Sequence, residues 1–331
     1  MNNKEITIVT GCKDREENLK KVLPSWIAFK PKKIIIIDWG SKKKIQKNKL
    51  NISDKGIEIE IIRVETDVWI SSCALNLGFE KVKTKYTMKL DNEIVLSKKF
   101  LLNKKLSKYC FYRGHYKFVK AEESYINGSF LSCSELLRNV GFYDERINTY
   151  GYEDCELYER LSKNCKYMGI LNTNDMHNIE QSEETRTINQ MVGFENLLAK
   201  ELNIPVTVFL IHRNRIFSKM INEWNSEMYK DRETIKNYYL NLENEDLMQS
   251  TYETFIDLFE TKDQGIAENR FRTILEIYSD NLIFKNYYKL NKTLKIKSFK
   301  SLLLVIPENG ICNRLRIISS AFCLAKRTNR K

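Results

Sequence analysis

The chain has 331 residues, 42% hydrophobic and 30% charged, with few Gly and Pro, which excludes a disordered or fibrous protein and leaves length for two units, or for one large domain with an appendage. No apolar run approaches the roughly 20 residues that cross a bilayer, and Met1–Glu5 lead straight into a strand, so a cytoplasmic protein is expected. Eight scattered cysteines form no C-x-x-C pair, pointing to reduced thiols. The net charge is +12, with thirteen Lys/Arg against five Asp/Glu in the first fifty residues; nucleic acid, an anionic membrane surface or a phosphorylated small molecule could meet such a face, and a plain solvated surface explains it equally well.

Taken in chain order, "EITIVT" (5–10) reads as a strand. The stretch after it places Asp14 and Glu17 at capping-box spacing, and Leu19, Val22, Leu23 and Trp26 at helical intervals, with Pro24 expected to kink or end the helix. "KKIIIID" (32–38) is too continuously apolar to be half exposed and reads as a central parallel strand. A third strand is expected at 57–64, a helix at 71–84 and a fourth strand at 86–91. This order predicts an α/β fold, an open and mostly parallel sheet flanked by helices.

Ligands of such sheets bind beyond the carboxyl ends of the strands. Three polar clusters fall there: Thr10 to Arg15, Asp38-Trp39-Gly40-Ser41 and Asp91-Asn92-Glu93. Alternate side chains of a strand project to one side, so Asp91 and Glu93 can share a hard divalent cation while Asn92 points away; acids ending a strand in solvent are the plain alternative. Further along come a strand in "GSFLSC", a helix in "SELLRNV", a turn-rich loop, a helix in "CELYERLSKN" and a strand in "CKYMGILN". Glu153-Asp154 open the second of these helices, where the helix N-terminus favours an ionised Asp154 able to act as a general base; an ordinary N-cap is the alternative. After about residue 205 the chain turns to long helical segments rich in Tyr and Phe, read as hairpins over 215–295.

Together "VTGCKDREENL", "IIIIDWGS", "YTMKLDNEIVL" and "GFYDERINTYGYEDCELYERL" resemble the GT-A fold glycosyltransferases of family 2. The later segment is similar to the galactosyltransferase and chondroitin-polymerase type. The resemblance spans roughly residues 5–180. It implies a Rossmann-like GT-A domain over 1–205 and an inverting, metal-dependent transfer of a sugar from a nucleotide-diphosphate donor, a UDP-sugar, to a glycan or glycoconjugate hydroxyl. Carried over residue by residue, Thr10, Gly11 and Arg15 would line the nucleotide pocket, Asp38 would bond the base and Asp91 would contact ribose or metal. Glu93, standing where the family usually has Asp, would bind the metal with His177, the cation being Mn²⁺ or Mg²⁺. Asp154 would be the catalytic base and Glu153 would hold an acceptor hydroxyl or the donor sugar.

Other expectations are coarser. The segment 177–187 has the polarity of a closing loop, and Trp39, Tyr150 and Tyr152 could stack on base or sugar, whereas Trp69 reads as core. His115 and His212 are read as structural. Residues 206–298 form a helical extension. The stretch 299–331 looks like the βα start of a second, fucosyltransferase-like domain in a chain cut short. Two rivals stand beside the enzyme: a catalytically silent glycan-binding or scaffold module of the same fold, and a nucleic-acid binder. The second lacks the aromatic interleaving and recognition motifs that nucleic acid requires, so no nucleic acid partner is expected.

Overall fold

The computed structural model describes residues 3–50, 56–97, 100, 104, 106–118, 126–179, 193–240, 244–260 and 263–277. The chain divides into two compact units, Met1–Asn241 and Leu242–Lys331. The helices of 206–240 thus belong to the first unit, beyond the expected boundary at 205. The expected second domain at 299–331 and the end of the helical extension lie outside the described residues.

The first unit is built on β1 (Ile6–Cys12), β2 (Lys33–Trp39), β3 (Glu58–Val64) and β4 (Tyr86–Lys89). β1 pairs in parallel with β2, Val9 opposite Ile35, and with β4, Ile8 opposite Met88. The run Ile34–Ile37 is fully buried, as an all-apolar strand covered on both faces must be. β5 (Ile94–Leu96) leaves the main sheet, and β6 (Cys110–Gly114), β7 (Phe130–Cys133) and β8 (Tyr167–Leu171) complete it in the order β3-β2-β1-β4-β7-β6-β8. β7 runs antiparallel to β4 and β6, while β6 and β8 are parallel. β9 (Met176–Asn178) pairs antiparallel with β5, His177 opposite Val95. The mostly parallel α/β sheet expected from the sequence is what the chain forms.

Helix α1 (Glu16–Phe29) buries Leu19, Val22, Leu23 and Trp26, and the Trp26 indole donates to Ile94 O at 2.8 Å, which anchors β5. The capping expectation fails here. The cap position is Arg15 with no side-chain cap; Asp14 instead adopts φ 55° and accepts a bond from Lys42 N at 2.7 Å, because the loop after β2 offers its carboxylate a better partner. Of the two outcomes expected at Pro24, a kink or an end, the end does not occur, and the helix runs on to Phe29.

Helix α2 (Ser71–Glu80) ends earlier than the sequence suggested and lies close on the sheet, since a Cβ at Gly78 would sit 2.4 Å from Val9 Cγ1. Its Phe79, fully buried among Phe130, Phe142 and Tyr143, contributes on the order of 2–3 kcal/mol by burial. After α3 (Ser134–Asn139) and α4 (Glu153–Asn164), the unit closes with α5 (Phe194–Glu201), α6 (Val206–Met220), α7 (Ser226–Lys230) and α8 (Arg232–Leu240). The second unit contains α9 (Glu245–Leu258) and α10 (Gln264–Ile277), packed through Tyr252, Phe255 and Phe271. Among the described residues no helix is long and apolar enough to cross a membrane.

Candidate active site

The carboxyl end of β4 places a charge where the sheet is most apolar. Lys89 is buried, and its ammonium donates to Gly128 O at 2.5 Å and lies 2.8 Å from Asp91 Oδ1 and 3.6 Å from Asp154 Oδ1. Leu90 N still bonds Val9 O, so the chain leaves the ladder only at Asp91. Asp154 arrives from the first turn of α4, more than sixty positions along the sequence. It lies inside the helix rather than at its cap, which is Tyr152 in the left-handed region at φ 71°. The Tyr143 hydroxyl donates to the same Asp154 Oδ1. Tyr143 is in turn held through its backbone by Asn76 of α2, whose amide donates to Tyr143 O and accepts from Tyr143 N, both at 2.9 Å. Gly128 completes the cluster: a Cβ there would lie 2.2 Å from Asp91 Oδ2 and 3.3 Å from Asp154 Oδ2.

The electrostatics follow from gathering Asp91, Glu153 and Asp154 around one buried cation. Burial is the main force raising the Asp154 carboxyl above its ordinary range; Asp91 adds to it, and Lys89 and Tyr143 oppose it. The helix N-terminus alone would have favoured the opposite direction. Glu153 is pushed up to about 8, by burial first and then by Asp154. Lys89 is raised, because Asp154 and Asp91 together outweigh the burial that would lower it. Tyr143 and Tyr158 are held well above the usual phenol value, chiefly by burial and then by Asp154.

Several buried polar atoms near this cluster lack a partner: Thr10 Oγ1, Asn92 Oδ1, Asn127 Oδ1, Ser129 Oγ and Glu153 Oε2. Native proteins satisfy nearly all such atoms, so unpartnered atoms on residues at or next to the site leave hydrogen bonds for a ligand or water to make. Glu153 Oε1 does accept from Ser71 Oγ at 3.3 Å, which ties the start of α4 to the start of α2.

The residues read as nucleotide-binding divide into two groups. Thr10 and Gly11 lie at the end of β1, where Gly11 O accepts from Asn92 at 3.2 Å and a Cβ on Gly11 would meet the Trp69 ring at 2.8 Å. Trp69 is therefore half-buried against the rim rather than wholly in the core, and Trp39 donates to Val68 O beside it. Asp38 differs: it is fully buried and accepts bonds from Ser41 N, Ile45 N and Arg63 Nη1 at 3.0–3.2 Å, so its oxygens are committed to shaping the 39–45 loop. Arg15 approaches Glu93, Nη1 to Oε2, at 3.7 Å. Tyr152 bonds Glu159, and the Cys12 thiol is pushed up to about 12 by burial. The six described cysteines are free.

Among the described residues no group of three His, Cys, Asp or Glu is placed to hold a metal ion. His177 sits exposed on β9, while Glu93 O accepts from Ile179 N just beyond that strand. The donor chemistry nevertheless suits a hard cation. Asp91 is about one-third exposed, and Mg²⁺-type ions commonly take one or two carboxylates and complete their shell with substrate phosphate and water. Of the expected closing loop 177–187, residues 180–187 lie outside the described residues.

Lys89, Tyr143 and Gly128 did not emerge as site residues from the sequence. No family model matches the chain, and no curated protein matches it. Among solved structures, it is similar to Staphylococcus aureus TarS residues 1–349 in complex with UDP-GlcNAc (11% identity over 91% of this chain and 94% of that one, TM-score 0.47). It is also similar to the Pyrobaculum calidifontis mannosyltransferase PcManGT in complex with GDP-Man and Mn²⁺ (9% identity, 87% of each chain, TM-score 0.46). A third is the catalytic domain of Drosophila β1,4-galactosyltransferase 7 with xylobiose (15% identity, 57% of this chain and 76% of that one, TM-score 0.40).

Proposed function

We propose that the protein is a glycosyltransferase that moves a sugar from a nucleoside-diphosphate donor, a UDP-sugar, to a hydroxyl of a glycan or glycoconjugate. The observation that carries this reading is the meeting of Asp91 and Asp154, from distant parts of the chain, around Lys89 and Gly128 at the strand ends. A pair of acids at this rim can divide the labour of transfer, one facing the donor and the other the acceptor.

In this reading Asp154 accepts the proton of the acceptor hydroxyl through Oδ2, the oxygen turned towards Gly128. The hydroxyl oxygen forms its bond to the anomeric carbon as the bond to the diphosphate breaks on the opposite face, which inverts the configuration. Glu153, held by Ser71, positions the acceptor or donor sugar. Thr10, Gly11 and Arg15 line the nucleotide side, and the Asp38 loop presents Trp39 there through its backbone, in place of a direct bond from Asp38 to the base. Asp91 and Glu93 would hold a divalent cation, Mn²⁺ or Mg²⁺, together with diphosphate oxygens, with His177 as the nitrogen donor to be tested. When bound, that cation supplies charge neutralisation of the leaving diphosphate.

A panel of nucleotide sugars with Mn²⁺ or Mg²⁺, scored by thermal shift and by nucleotide release, tests the reading. Asp154→Asn is expected to lower transfer at least about 1000-fold while leaving donor binding in place. Absence of any nucleotide-sugar binding or turnover by the wild type would leave the silent scaffold as the better description.

A further inference from the structure

A lysine is almost never buried unless it is paired, and Lys89 stands in a strand whose four residues are all buried. Its ammonium is satisfied by three acceptors of different origin: the Gly128 carbonyl at 2.5 Å, Asp91 Oδ1 at 2.8 Å and, as a longer ionic contact, Asp154 Oδ1 at 3.6 Å. On both acids the ammonium lies against Oδ1, and on Asp154 the Tyr143 hydroxyl takes Oδ1 as well. Asp91 Oδ2, Lys89 Nζ and Asp154 Oδ2 all crowd Gly128, at 2.2, 3.1 and 3.3 Å from where a Cβ would sit, so the cluster is packed against a position that only glycine fills without displacing it.

We propose that Lys89, with Tyr143, is a positioning residue that fixes the orientation of the Asp91 and Asp154 carboxylates, the ammonium standing between the two acids and the phenol holding Asp154 by Oδ1. This deepens the transfer reading and rests on it. Without the ammonium, two half-buried carboxylates would stand close together with Glu153 nearby and no fixed cation between them, and each could rotate to share protons with its neighbour. Holding them as an oriented pair keeps the base aimed at the acceptor before any substrate arrives, which is where electrostatic preorganisation acts. The cation is part of the strand, so its position follows from the β4 ladder with β1 and β7.

Lys89→Met keeps the length of the side chain and removes the charge, Lys89→Arg restores the charge with a different shape, and Tyr143→Phe removes only the second Oδ1 donor. Steady-state transfer by the full chain should show kcat lower by about 100-fold in Lys89→Met and about tenfold in Tyr143→Phe, with acceptor KM changed less than threefold and partial recovery in Lys89→Arg. A merely structural lysine would instead lower thermal stability and leave kcat per folded molecule intact, and kcat within threefold of wild type in folded Lys89→Met overturns the proposal. A second readout needs no activity: ¹H–¹⁵N spectra of the lysine ammonium groups should show a slowly exchanging signal that is missing in Lys89→Arg and displaced in Asp154→Asn and Tyr143→Phe. A signal indifferent to both Asp154 and Tyr143 overturns the proposal even if Lys89→Met does not fold. Failure of the wild type to bind or turn over any nucleotide sugar, with that signal present and responsive, would instead count against the transfer reading and leave the positioning of the two acids standing.

Discussion

Two buried aspartates at the same rim of the sheet have opposite surroundings. Asp38 is closed to solvent, and both its oxygens are occupied by backbone amides of the following loop and by Arg63. Asp154 keeps side-chain exposure of 18%, has its first oxygen held by Tyr143 beside the Lys89 ammonium, and has Glu153 with an unpartnered oxygen next to it in the chain. The first arrangement is architecture, in which a carboxylate replaces several backbone hydrogen bonds that a tight loop cannot make for itself. The second is held less completely, as the proposed transfer would require of its base. Counting satisfied oxygens separates two acids that look alike as strand-end and helix-start residues.

The comparison breaks most readily at Asp38. Asp38→Ala leaves two buried amides without their acceptor and takes one partner from Arg63, which keeps Ser41 O and Glu65; a loss of about 2–4 kcal/mol of unfolding free energy is expected in urea titration. Transfer per folded molecule should change much less, and an Asp38 variant that is stable but inactive would place that acid in the chemistry after all. Next in size, Gly128→Ala would drive a methyl group to 2.2 Å from Asp91 Oδ2; kcat/KM for transfer is expected to fall by about 10- to 100-fold, with a small change in melting temperature. Unchanged kinetics would mean that the placement of Asp91 against Gly128 does not matter to transfer.

A smaller effect concerns the loop that delivers α4. Asn214 of α6 donates to Gly151 O at 2.7 Å and Tyr150 O at 3.2 Å, and Arg213 donates to Thr149 Oγ1 at 2.5 Å. Asn214→Ala should cost about 1–2 kcal/mol of stability, since it frees two carbonyls, and lower kcat modestly. Assays at matched folded fraction distinguish the two effects.

The smallest is a slope against pH. Glu153 holds its proton to about pH 8 in the fold and to its ordinary value, about 4.3, when unfolded. The folded form therefore binds more protons between these values. Its stabilising contribution is complete below the lower value and is lost as pH rises towards 8. Melting temperatures between pH 5 and pH 8 should decline less in Glu153→Gln than in wild type. Parallel slopes would show that Glu153 is better solvated than its surroundings imply.

Much of the scaffold was legible because its signals are local. Uninterrupted Ile34–Ile37 can only be a covered strand, and the Leu19, Val22, Leu23 and Trp26 spacing defines one helical face. The meeting of Asp91 with Asp154 was also within reach, since both lie where a parallel sheet puts its ligands. Roles depending on partners from elsewhere in the chain were not legible. Arg63 and Ile45 N decide what Asp38 does, and Ser41 and Lys42 draw Asp14 away from the helix cap. Lys89 did carry a signal: a lysine inside "YTMKLD", between Met88 and Leu90 on a strand with no solvent face, demands acids close by. Tyr143 carried none, because its position depends on an amide in α2.

That amide has a mechanical consequence. Asn76 grips the main chain of Tyr143 with both of its polar atoms, and α2 rests on Val9 at Gly78 with no room for even a methyl group. The height of the helix above the sheet is thereby passed on to the phenol and from there to the carboxylate it touches. Enlarging Gly78 would act as a wedge beneath a lever, misaligning a distant oxygen while leaving every residue around that oxygen chemically unaltered.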